Sequence, residues 1–373
     1  MLHYLKVIDP LNAKVIEQLG NCGPKNISAL AKSIGIPSTT VAFRVKKMMQ
    51  EGYLKVRAKL NSPKLGLMKA VLFADTKHGL ENKLLKAIET IGYWTYMAPC
   101  YGKFNGYYGI FSFPALYKAK LEEILRETRQ MGILSDYVFH WTTNVYEVPP
   151  NFHWFNFDKK AWSFKWDEWV KEVQKASSSP SPHLKEPSLY AAVVDKIDLL
   201  MLKEMEKDGT IGFTELADVV KITPQGVRHR YLQHVIKREL ITEYEVAVFP
   251  YPLQSSDLGS ILLDFQDQEA LSKFVNTLHT KPFMLSYAKV IGQDSLVAHF
   301  YTPKTEFTHF MGSLDRLVQL GFLKDFLYVM LDVASFKRQT VSYEFFSEGK
   351  WLFDYEEKMR KISEILPLKM AQS

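Results

Sequence analysis

The sequence is poor in cysteine and has no long apolar run free of charge. Its two cysteines, Cys22 and Cys100, lie far apart and outside any Cys-x-x-Cys pattern, which argues against a disulfide framework and a structural zinc site. No stretch approaches the about eighteen uncharged apolar residues that a membrane helix needs. Residues 1–9 lack the basic start and apolar core of a signal peptide. We therefore expect a soluble cytoplasmic protein.

Motifs of the common enzyme classes are also missing. The chain contains no HExxH, P-loop or GxSxG motif and no GxGxxG that begins a helix. His229 and His234 are five residues apart, a spacing that does not bring both to one metal ion. These patterns predict no catalytic residue, no cofactor and no metal. The formal net charge of +6 permits an anionic partner without requiring one.

The chain repeats itself after roughly 186 to 190 residues. The segment 27–31 (ISALA) returns as 213–217 (FTELA), and Arg44 returns as Arg230 at the same offset. Such a period is far longer than a solenoid unit, so each copy is a full set of domains. Two copies in one chain can present two equivalent surfaces about an internal pseudo-twofold axis. DNA-binding dimers obtain the same geometry from two chains.

Each copy begins with three short helical patterns and a strand. Apolar spacing and capping residues predict helices at 10–19, 27–33 and 38–51 with a strand at 53–60, and again at 196–207, 214–220 and 223–238 with a strand at 241–248. Ser38 and Thr223 are the predicted caps of the third helices. Three helices with a tight turn before the third, followed by a β element, are the layout of a winged helix-turn-helix. An ordinary small helical cap is the alternative.

A second pattern follows each predicted winged helix-turn-helix, or head. Alternation and helical spacing predict the order βαββαβ at 69–76, 80–90, 93–101, 107–113, 115–130 and 134–145, and the same order in the second copy. This order is typical of a ferredoxin-like domain, with two helices on one face of a four-stranded sheet. The uncovered face needs a partner, usually another such sheet. The predicted fold class is therefore α+β, a tandem duplication of a winged helix-turn-helix and a ferredoxin-like domain.

An aromatic-rich tail follows each predicted βαββαβ domain, or sandwich. We expect the tails to pack on a sandwich or on the other repeat, because acidic residues are interleaved with the aromatic ones; stacking on single-stranded bases is the alternative. Residues 176–188 are rich in Ser and Pro and predict a flexible linker. The predicted domains are winged helix-turn-helix heads at 1–62 and 189–252, βαββαβ domains at 67–148 and 257–338, aromatic tails at 149–175 and 339–373, and the linker.

The first head has a familiar sequence. Residues 27–48 read ISALAKSIGIPSTTVAFRVKKM, and such a helix-turn-helix followed by a βαββαβ domain resembles the Lrp/AsnC family of transcription regulators. The resemblance covers each repeat, up to about Val145 and about Val333. It implies a transcription regulator of archaeal type that binds double-stranded DNA, with sandwiches that mediate oligomerisation. Two sandwiches per chain pair either within the chain or in a homodimer.

The resemblance also directs attention to one hairpin in each sandwich. Many family members bind an amino acid near a Gly that is followed three residues later by Asp. This chain has Gly102 with Asn105 and Gly292 with Ser295. Both hairpins are candidate effector sites that lack the carboxylate, so a small-molecule effector stays open. Plain hairpin geometry is the alternative explanation for these residues.

Sirohaem decarboxylases are similar to this family in fold, and fused two-copy forms occur. Their hairpin carries a motif of the form Asp-His-Arg-Tyr-Asn, where residues 101–105 of this chain read Tyr-Gly-Lys-Phe-Asn. Without the imidazole, general acid–base work at that position is lost. We therefore predict a protein that is not an enzyme. An enzyme on this scaffold and an architectural, chromatin-like DNA-binding protein are the alternatives.

The third helix of each head is the predicted DNA-reading element, because in a helix-turn-helix its outward side chains contact base edges and phosphates. The predicted contact residues are Ser38, Thr39, Thr40, Phe43, Arg44, Lys46, Lys47, Thr223, Gln225, Arg228, His229 and Arg230, with His234 as a further candidate. Gln225 suits an adenine edge and Arg228 a guanine. Arg44 and Arg230 have an alternative role, since a matched pair of residues can hold the fold instead.

Charge differs between the two predicted head strands. The first carries Lys55, Arg57 and Lys59, whereas the second carries Glu243 and Glu245. A phosphate within a screening length of about 8 Å would be attracted by the first strand and repelled by the second. We therefore expect the first head to supply more of the non-specific DNA affinity, and the second to contribute chiefly through base contacts.

Overall fold

The computed structural model describes residues 9–249 and 251–365. The first half begins with α1 (Pro10–Cys22), α2 (Ile27–Ile34), α3 (Ser38–Gln50) and β1 (Lys55–Leu60). It continues with β2 (Leu67–Asp75), α4 (Glu81–Ile91), β3 (Trp94–Gly102), β4 (Gly106–Pro114), α5 (Lys118–Gln130) and β5 (Asp136–Thr142). A tail follows with β6 (Tyr146–Glu147), β7 (Phe155–Asn156), β8 (Ala161–Trp162) and α6 (Trp166–Lys175).

The second half has the same order of elements. It begins with α7 (Lys196–Lys207), α8 (Phe213–Val220), α9 (Pro224–Arg230) and β9 (Ile241–Ala247), and a π-helical turn (Tyr231–Ile236) extends α9. Next come β10 (Ser256–Phe265), α10 (Gln268–Leu278), β11 (Met284–Lys289), β12 (Ser295–Pro303), α11 (Phe307–Gln319) and β13 (Leu323–Leu331). The tail holds β14 (Lys337–Arg338), β15 (Phe346–Ser347), β16 (Lys350–Trp351) and α12 (Tyr355–Ser363). The fold is mixed α+β, as the sequence predicts.

Local signals in the sequence start and stop the head helices. Asp9 accepts the backbone N–H of Asn12 at 2.6 Å ahead of α1, and Gly35 ends α2 in the left-handed conformation at φ 72°. Thr223 caps α9 by accepting the N–H of Gly226 at 3.1 Å. The prediction of a Ser38 cap was wrong. Ser38 is the first residue of α3 and follows the extended backbone of Pro37, with no side-chain cap bond at that end.

The two heads are joined through their strands. β1 pairs with β9 in antiparallel fashion over six positions, from Lys55 opposite Ala247 to Leu60 opposite Ile241. α1 packs on β9 and α7 packs on β1, so each head covers the strand of the other. Val246 accordingly belongs to the apolar core of the first head. The heads therefore sit on one two-stranded ribbon within a single chain.

Two four-stranded sheets face each other beneath the heads. Their strand orders are β5-β2-β4-β3 and β13-β10-β12-β11. The sheets are joined along one side by β3 and β13, and along the other by a bridge between Thr142 and Val290. Val71, Phe73, Leu262 and Val290 pack in the apolar cluster between them. The sheets therefore pair within the chain, which is one of the two arrangements left open by the sequence.

The tails pack crosswise. α6 of the first half covers α10 and α11, and α12 of the second half covers α4 and α5. Trp169 is fully buried against the rings of Phe274 and Phe283, and Trp351 packs against Tyr93. The packing role expected for the aromatic residues is confirmed. Each layer of sandwich helices is buried by a tail from the opposite repeat.

The Ser- and Pro-rich segment 176–188 is held at several points. Leu184 is buried, and the ring of His183 stacks on Tyr146 at 4.3 Å between centroids. Glu186 forms an ion pair with Lys289 and accepts the N–H of Gly292. The expectation of a freely flexible linker therefore does not fit its second half, where these contacts fix the chain against the second sandwich.

Within residues 9–249 and 251–365, no helix is long and apolar enough to cross a membrane.

Candidate nucleic-acid interface and central cleft

The first candidate DNA-reading helix, α3, has a buried and an exposed side. Val41, Val45 and Met48 are buried in the head, which fixes the rotation of the helix. The predicted contact residues that lie on the exposed side are Ser38, Thr39, Phe43, Lys46 and Lys47, while Thr40 is half-buried. Phe43 exposes 66% of its surface, an unusual position for a large apolar ring. Lys47 lies 4.0 Å from Glu51 in an exposed pair that leaves it accessible.

The second candidate helix, α9, is organised differently. Val227 anchors it in the core, and Thr223, Gln225, Arg228 and His229 lie on its exposed side. The Thr223 hydroxyl is occupied by the cap bond to Gly226. Beyond Arg230 the helix widens into a π-helical turn, a feature that is often found at functional sites. The two exposed faces thus differ in both side chains and backbone.

Arg44 and Arg230 do not join those exposed faces. Arg44 donates to Asp9 and Asn12, both at 2.7 Å. Arg230 donates in the same way to Asp195 at 2.7 Å and Asp198 at 2.8 Å. Each arginine ties the third helix of its head to the start of the first helix. This geometry favours the alternative to the predicted DNA contact, that the matched arginines hold the fold.

The contact of Arg230 with Asp198 in the second head is more deeply buried than that of Arg44 with Asp9 in the first. The Asp198 side chain has no exposed surface, whereas that of Asp9 in the first head is 45% exposed. His234 also contacts the Asp198 carboxylate at 2.9 Å, so its imidazole faces the head interior and not DNA. Asp195, Asp198 and His234 come close enough together to hold a metal ion. The Arg230 guanidinium already supplies a cation to both carboxylates there.

Several charges on the head strands are paired within the protein. Arg57 contacts Glu245 at 2.9 Å, and Lys59 contacts Glu147 of β6 at 2.6 Å. Arg338 of β14 reaches the same Glu245 at 2.6 Å. These ion pairs offset much of the expected contrast between a basic and an acidic strand, while Lys55 of β1 stays exposed. Because β1 and β9 pair, Arg57 and Lys59 meet carboxylates inside the protein instead of phosphates outside it.

Residues of the two hairpins named as candidate effector sites are already hydrogen-bonded within the protein. Asn105 closes the first turn, since it accepts the Gly102 N–H and donates to the Gly102 carbonyl oxygen at 3.3 Å. Gly292 in the second turn donates to Glu186 at 3.0 Å, and Ser295 is buried. Both glycines have positive φ, 122° at Gly102 and 75° at Gly292. These contacts favour the hairpin-geometry explanation.

A cleft of about 1370 Å³ opens between the head ribbon and the mouth of the sandwich. Its walls come from both heads, both sandwiches and the second tail, and they include Lys59, Lys69, Tyr96, Glu245, His299 and Arg338. Residues so far apart along the chain give no motif that a search could find. A weaker signal exists in Lys69, which is the charged residue in the otherwise apolar run Leu67–Ala74.

Burial shifts the pKa values of several side chains that line the cleft. It lowers the pKa of Lys69 to about 8, with Glu206 acting in the opposite direction. It lowers the pKa of His299 to about 4 and raises the pKa of Glu243 to about 7. Burial disfavours ionisation of Glu245, but Arg338, Lys59 and Arg57 together hold its pKa below the ordinary value. His299 is therefore neutral near pH 7 and accepts or donates one bond with Ser286 at 2.9 Å.

His299 makes stability depend on pH. Its pKa is lower in the folded protein than in the unfolded chain, so between about pH 6.5 and 4 the unfolded chain binds the extra proton and stability falls as the pH falls. Glu243, with a raised pKa, acts in the opposite direction. We therefore expect the free-energy difference between the wild type and His299→Gln to change by roughly 1.4 kcal/mol per pH unit below pH 6.5. Urea unfolding at pH 7, 6 and 5 measures it, and a constant difference would contradict a neutral buried imidazole.

Comparison with known proteins supports a DNA-binding head. Residues 8–55, which hold α1, α2, α3 and the start of β1, match the family described as winged helix-turn-helix DNA-binding. An uncharacterized HTH-type transcriptional regulator of Pyrococcus horikoshii is 38% identical over 63 residues, 17% of this chain and 42% of the relative. The proline dehydrogenase transcriptional activator of Rhizobium radiobacter is 34% identical over 88 residues, 23% of this chain and 54% of the relative. The chain thus spans about half, or less, of these relatives.

The whole chain resembles a solved structure of a different kind. The crystal structure of the siroheme decarboxylase NirDL aligns with a TM-score of 0.57 at 11% identity, covering 95% of this chain and 98% of that one. At this low identity the likeness shows a shared fold alone. The fold therefore extends over both halves, whereas the DNA-binding match concerns the first head.

Proposed function

We propose that this protein is a transcription regulator of the Lrp/AsnC type that binds duplex DNA with both heads and reads a bipartite site. The observation that carries the proposal is the match of residues 8–55 to the winged helix-turn-helix family, together with the polar exposed side of α3. The second head has the same three helices and an exposed polar side on α9. The β1–β9 ribbon holds the two heads in one chain, as the two subunits of a dimeric regulator would be held.

The proposed base-reading residues differ between the heads. In the second head Gln225 and Arg228 are exposed and suit the adenine and guanine edges of the major groove. In the first head Phe43 offers an apolar ring, which suits a thymine methyl group, beside the hydroxyls of Ser38 and Thr39. Two unlike faces favour two unlike half-sites. Arg44 and Arg230 are not among the proposed base-reading residues, since their guanidinium groups are bound within the heads.

Substitution of Lys46 and Lys47 tests whether α3 contacts the phosphates of DNA. We expect the double substitution Lys46→Ala and Lys47→Ala to weaken binding to specific and random duplexes by a similar factor, and to reduce the salt dependence, because phosphate contacts carry no base information. Lys171→Ala with Lys175→Ala, two exposed lysines of the first tail, is the matched control. Affinity is measured by fluorescence anisotropy over a series of salt concentrations. Unchanged affinity and slope on both duplexes would remove α3 from the interface.

The architectural alternative predicts a different result in the same assay. A chromatin-like protein would bind every duplex with similar affinity and with a steep salt slope. A regulator binds its operator more tightly than random DNA at each salt concentration. The ratio of the two affinities, measured with the full chain, therefore separates the two functions.

A second candidate function is an enzyme on the same scaffold. It is favoured by the likeness of the whole chain to a siroheme decarboxylase and by the large cleft that holds His299. Against it, Gly102 occupies the hairpin position where the resemblance expects an imidazole. Anaerobic incubation of the full chain with siroheme, followed by mass spectrometry of the tetrapyrrole, decides the question. Loss of carbon dioxide from the tetrapyrrole supports the enzyme, and intact siroheme excludes this reaction.

A further inference from the structure

Lys69 lies at the mouth of the sandwich, the end of the two paired sheets that opens into the central cleft. It alternates along β2 with Val71 and Phe73, which pack in the cluster between the two sheets, so by strand geometry its side chain is on the same face. It lines the central cleft. Within residues 9–249 and 251–365, no carboxylate lies within ion-pair distance of its ammonium group. Lys69 is half-buried, and an ammonium group that is partly withdrawn from water without a counter-ion is costly unless something else pairs with it.

The two cations whose charges act on Lys69 are already paired with carboxylates. Lys59 is bound to Glu147, and Arg338 to Glu245. Glu206, the carboxylate that most influences Lys69, accepts the backbone N–H of Val341 at 2.7 Å. Lys69 therefore remains available to an incoming anion, as does Lys55, an exposed residue of the head ribbon that also lines the cleft.

An aromatic shelf lies on the same wall. The rings of Tyr96 and Phe336 are stacked at 5.8 Å between centroids, and Phe336 leaves 50% of its surface exposed. Tyr96 pairs with Ile110 on β4, and Lys69 pairs with Ser112 on the same strand. Ser112 and Ile110 are two residues apart on β4, so Lys69 and Tyr96 are separated by two strand spacings of about 4.8 Å across the sheet and by about 6.7 Å along it, roughly 12 Å between backbones. A bicyclic ring with one charged substituent can span that separation.

We propose that the mouth of the sandwich binds a flat aromatic carboxylate, with the ring on the Tyr96–Phe336 shelf and the carboxylate paired with Lys69. The mouths of closed β-sheets are common ligand sites. The lowered pKa of Lys69, about 8, leaves the ammonium protonated at neutral pH, and an anion beside it would raise that pKa. A ligand here would also lie against the head ribbon through Lys59 and Glu245, which line the same cleft. Regulation of DNA binding by this ligand rests on the proposed function; occupancy of the pocket does not.

The test compares 2-naphthoate with the neutral 2-naphthylmethanol by isothermal titration calorimetry on the full chain without DNA. The wild type should prefer naphthoate by about tenfold or more, as expected for a hydrogen bond to a charged group. Lys69→Met should lose this preference, whereas Lys118→Met, at an exposed lysine of α5, should keep it. Phe336→Ala should weaken both probes equally. Thermal unfolding should show Lys69→Met at least as stable as the wild type, since an unpaired charge is removed.

Three results would overturn the proposal: equal binding of the two probes, a preference that persists in Lys69→Met, or no binding of naphthoate to the wild type. Regulation is tested separately by adding naphthoate to the DNA-binding assay. A shift in DNA affinity that disappears in Lys69→Met supports coupling. An unchanged affinity, with naphthoate bound, overturns coupling alone. Absence of DNA binding with intact naphthoate binding would contradict the proposed function and not the pocket.

Discussion

Replacing Arg230 with alanine should destabilise the protein by up to about 3–5 kcal/mol, whereas Arg44→Ala should cost less than about 1 kcal/mol. Removing one partner of a buried ion pair is strongly destabilising, although Asp198 keeps the contact with His234 at 2.9 Å and lies 3.9 Å from Arg238. The Asp198 carboxylate is fully buried beneath Arg230, but Asp9, the partner of Arg44, is 45% exposed and can be solvated by water. The two substitutions break the same contact at equivalent places in one chain, so each serves as the control for the other.

Urea unfolding of the wild type and both variants measures this difference. The double variant Arg230→Ala with Asp198→Asn should recover part of the loss, because it removes the charge that Arg230 balanced. Equal losses in the two heads would show that burial of Asp198 does not decide the energetics. If Arg230 instead contacted bases, Arg230→Ala would reduce DNA affinity without a change in the midpoint of unfolding.

The separated halves of the chain should fail to fold alone. Residues 1–174 would leave β1 without β9, one face of a sheet without its partner sheet, and α4 and α5 without α12. Residues 188–373 would lose α6 from α10 and α11. Exposed apolar faces of that size favour aggregation or the association of two copies. Because the losses involve whole layers of the core, this is the largest effect that we expect.

Size-exclusion chromatography and circular dichroism of each half, alone and co-expressed, measure the outcome. We expect the co-expressed halves to elute together at one copy of each, with the thermal unfolding transition of a folded domain. The control is the full chain cut after folding at a protease site inserted between Ser178 and Ser179, in an exposed part of the linker. A soluble, monomeric and cooperatively unfolding half would show that the crosswise contacts are dispensable.

The sequence predicts the elements well and their partners poorly. Spacing and caps indicate the three head helices and the βαββαβ order, because both signals are local. The nearly continuous apolar run of β2 also indicates a strand that is buried on both faces, but it does not say which segment covers it. The crosswise packing of α6 and α12, and the pairing of β1 with β9, depend on contacts between residues that are far apart in the chain.

Contacts between residues far apart in the chain also explain why the candidate site differs from the sequence prediction. Arg44 and Arg230 have the spacing of outward residues on a third helix, and only the position of α1 and α7 shows that Asp9 and Asp195 reach them. Arg57 and Glu245 belong to different heads, so their charges were expected to act separately on DNA, whereas β1–β9 pairing places them 2.9 Å apart. Lys69 and His299 line the same cleft, a relation without a sequence motif.

Selection from a random duplex library with the full chain tests most directly whether the two heads read DNA sequence. We expect an enriched motif of two unlike half-sites, since the exposed sides of α3 and α9 differ. The variant Gln225→Ala with Arg228→Ala should lose the preference in one half-site, at about 1–3 kcal/mol per contact, and keep the other. Recovery of no motif from the wild type, or of the same complete motif from the variant, would contradict the proposal that this protein reads a bipartite site through both heads.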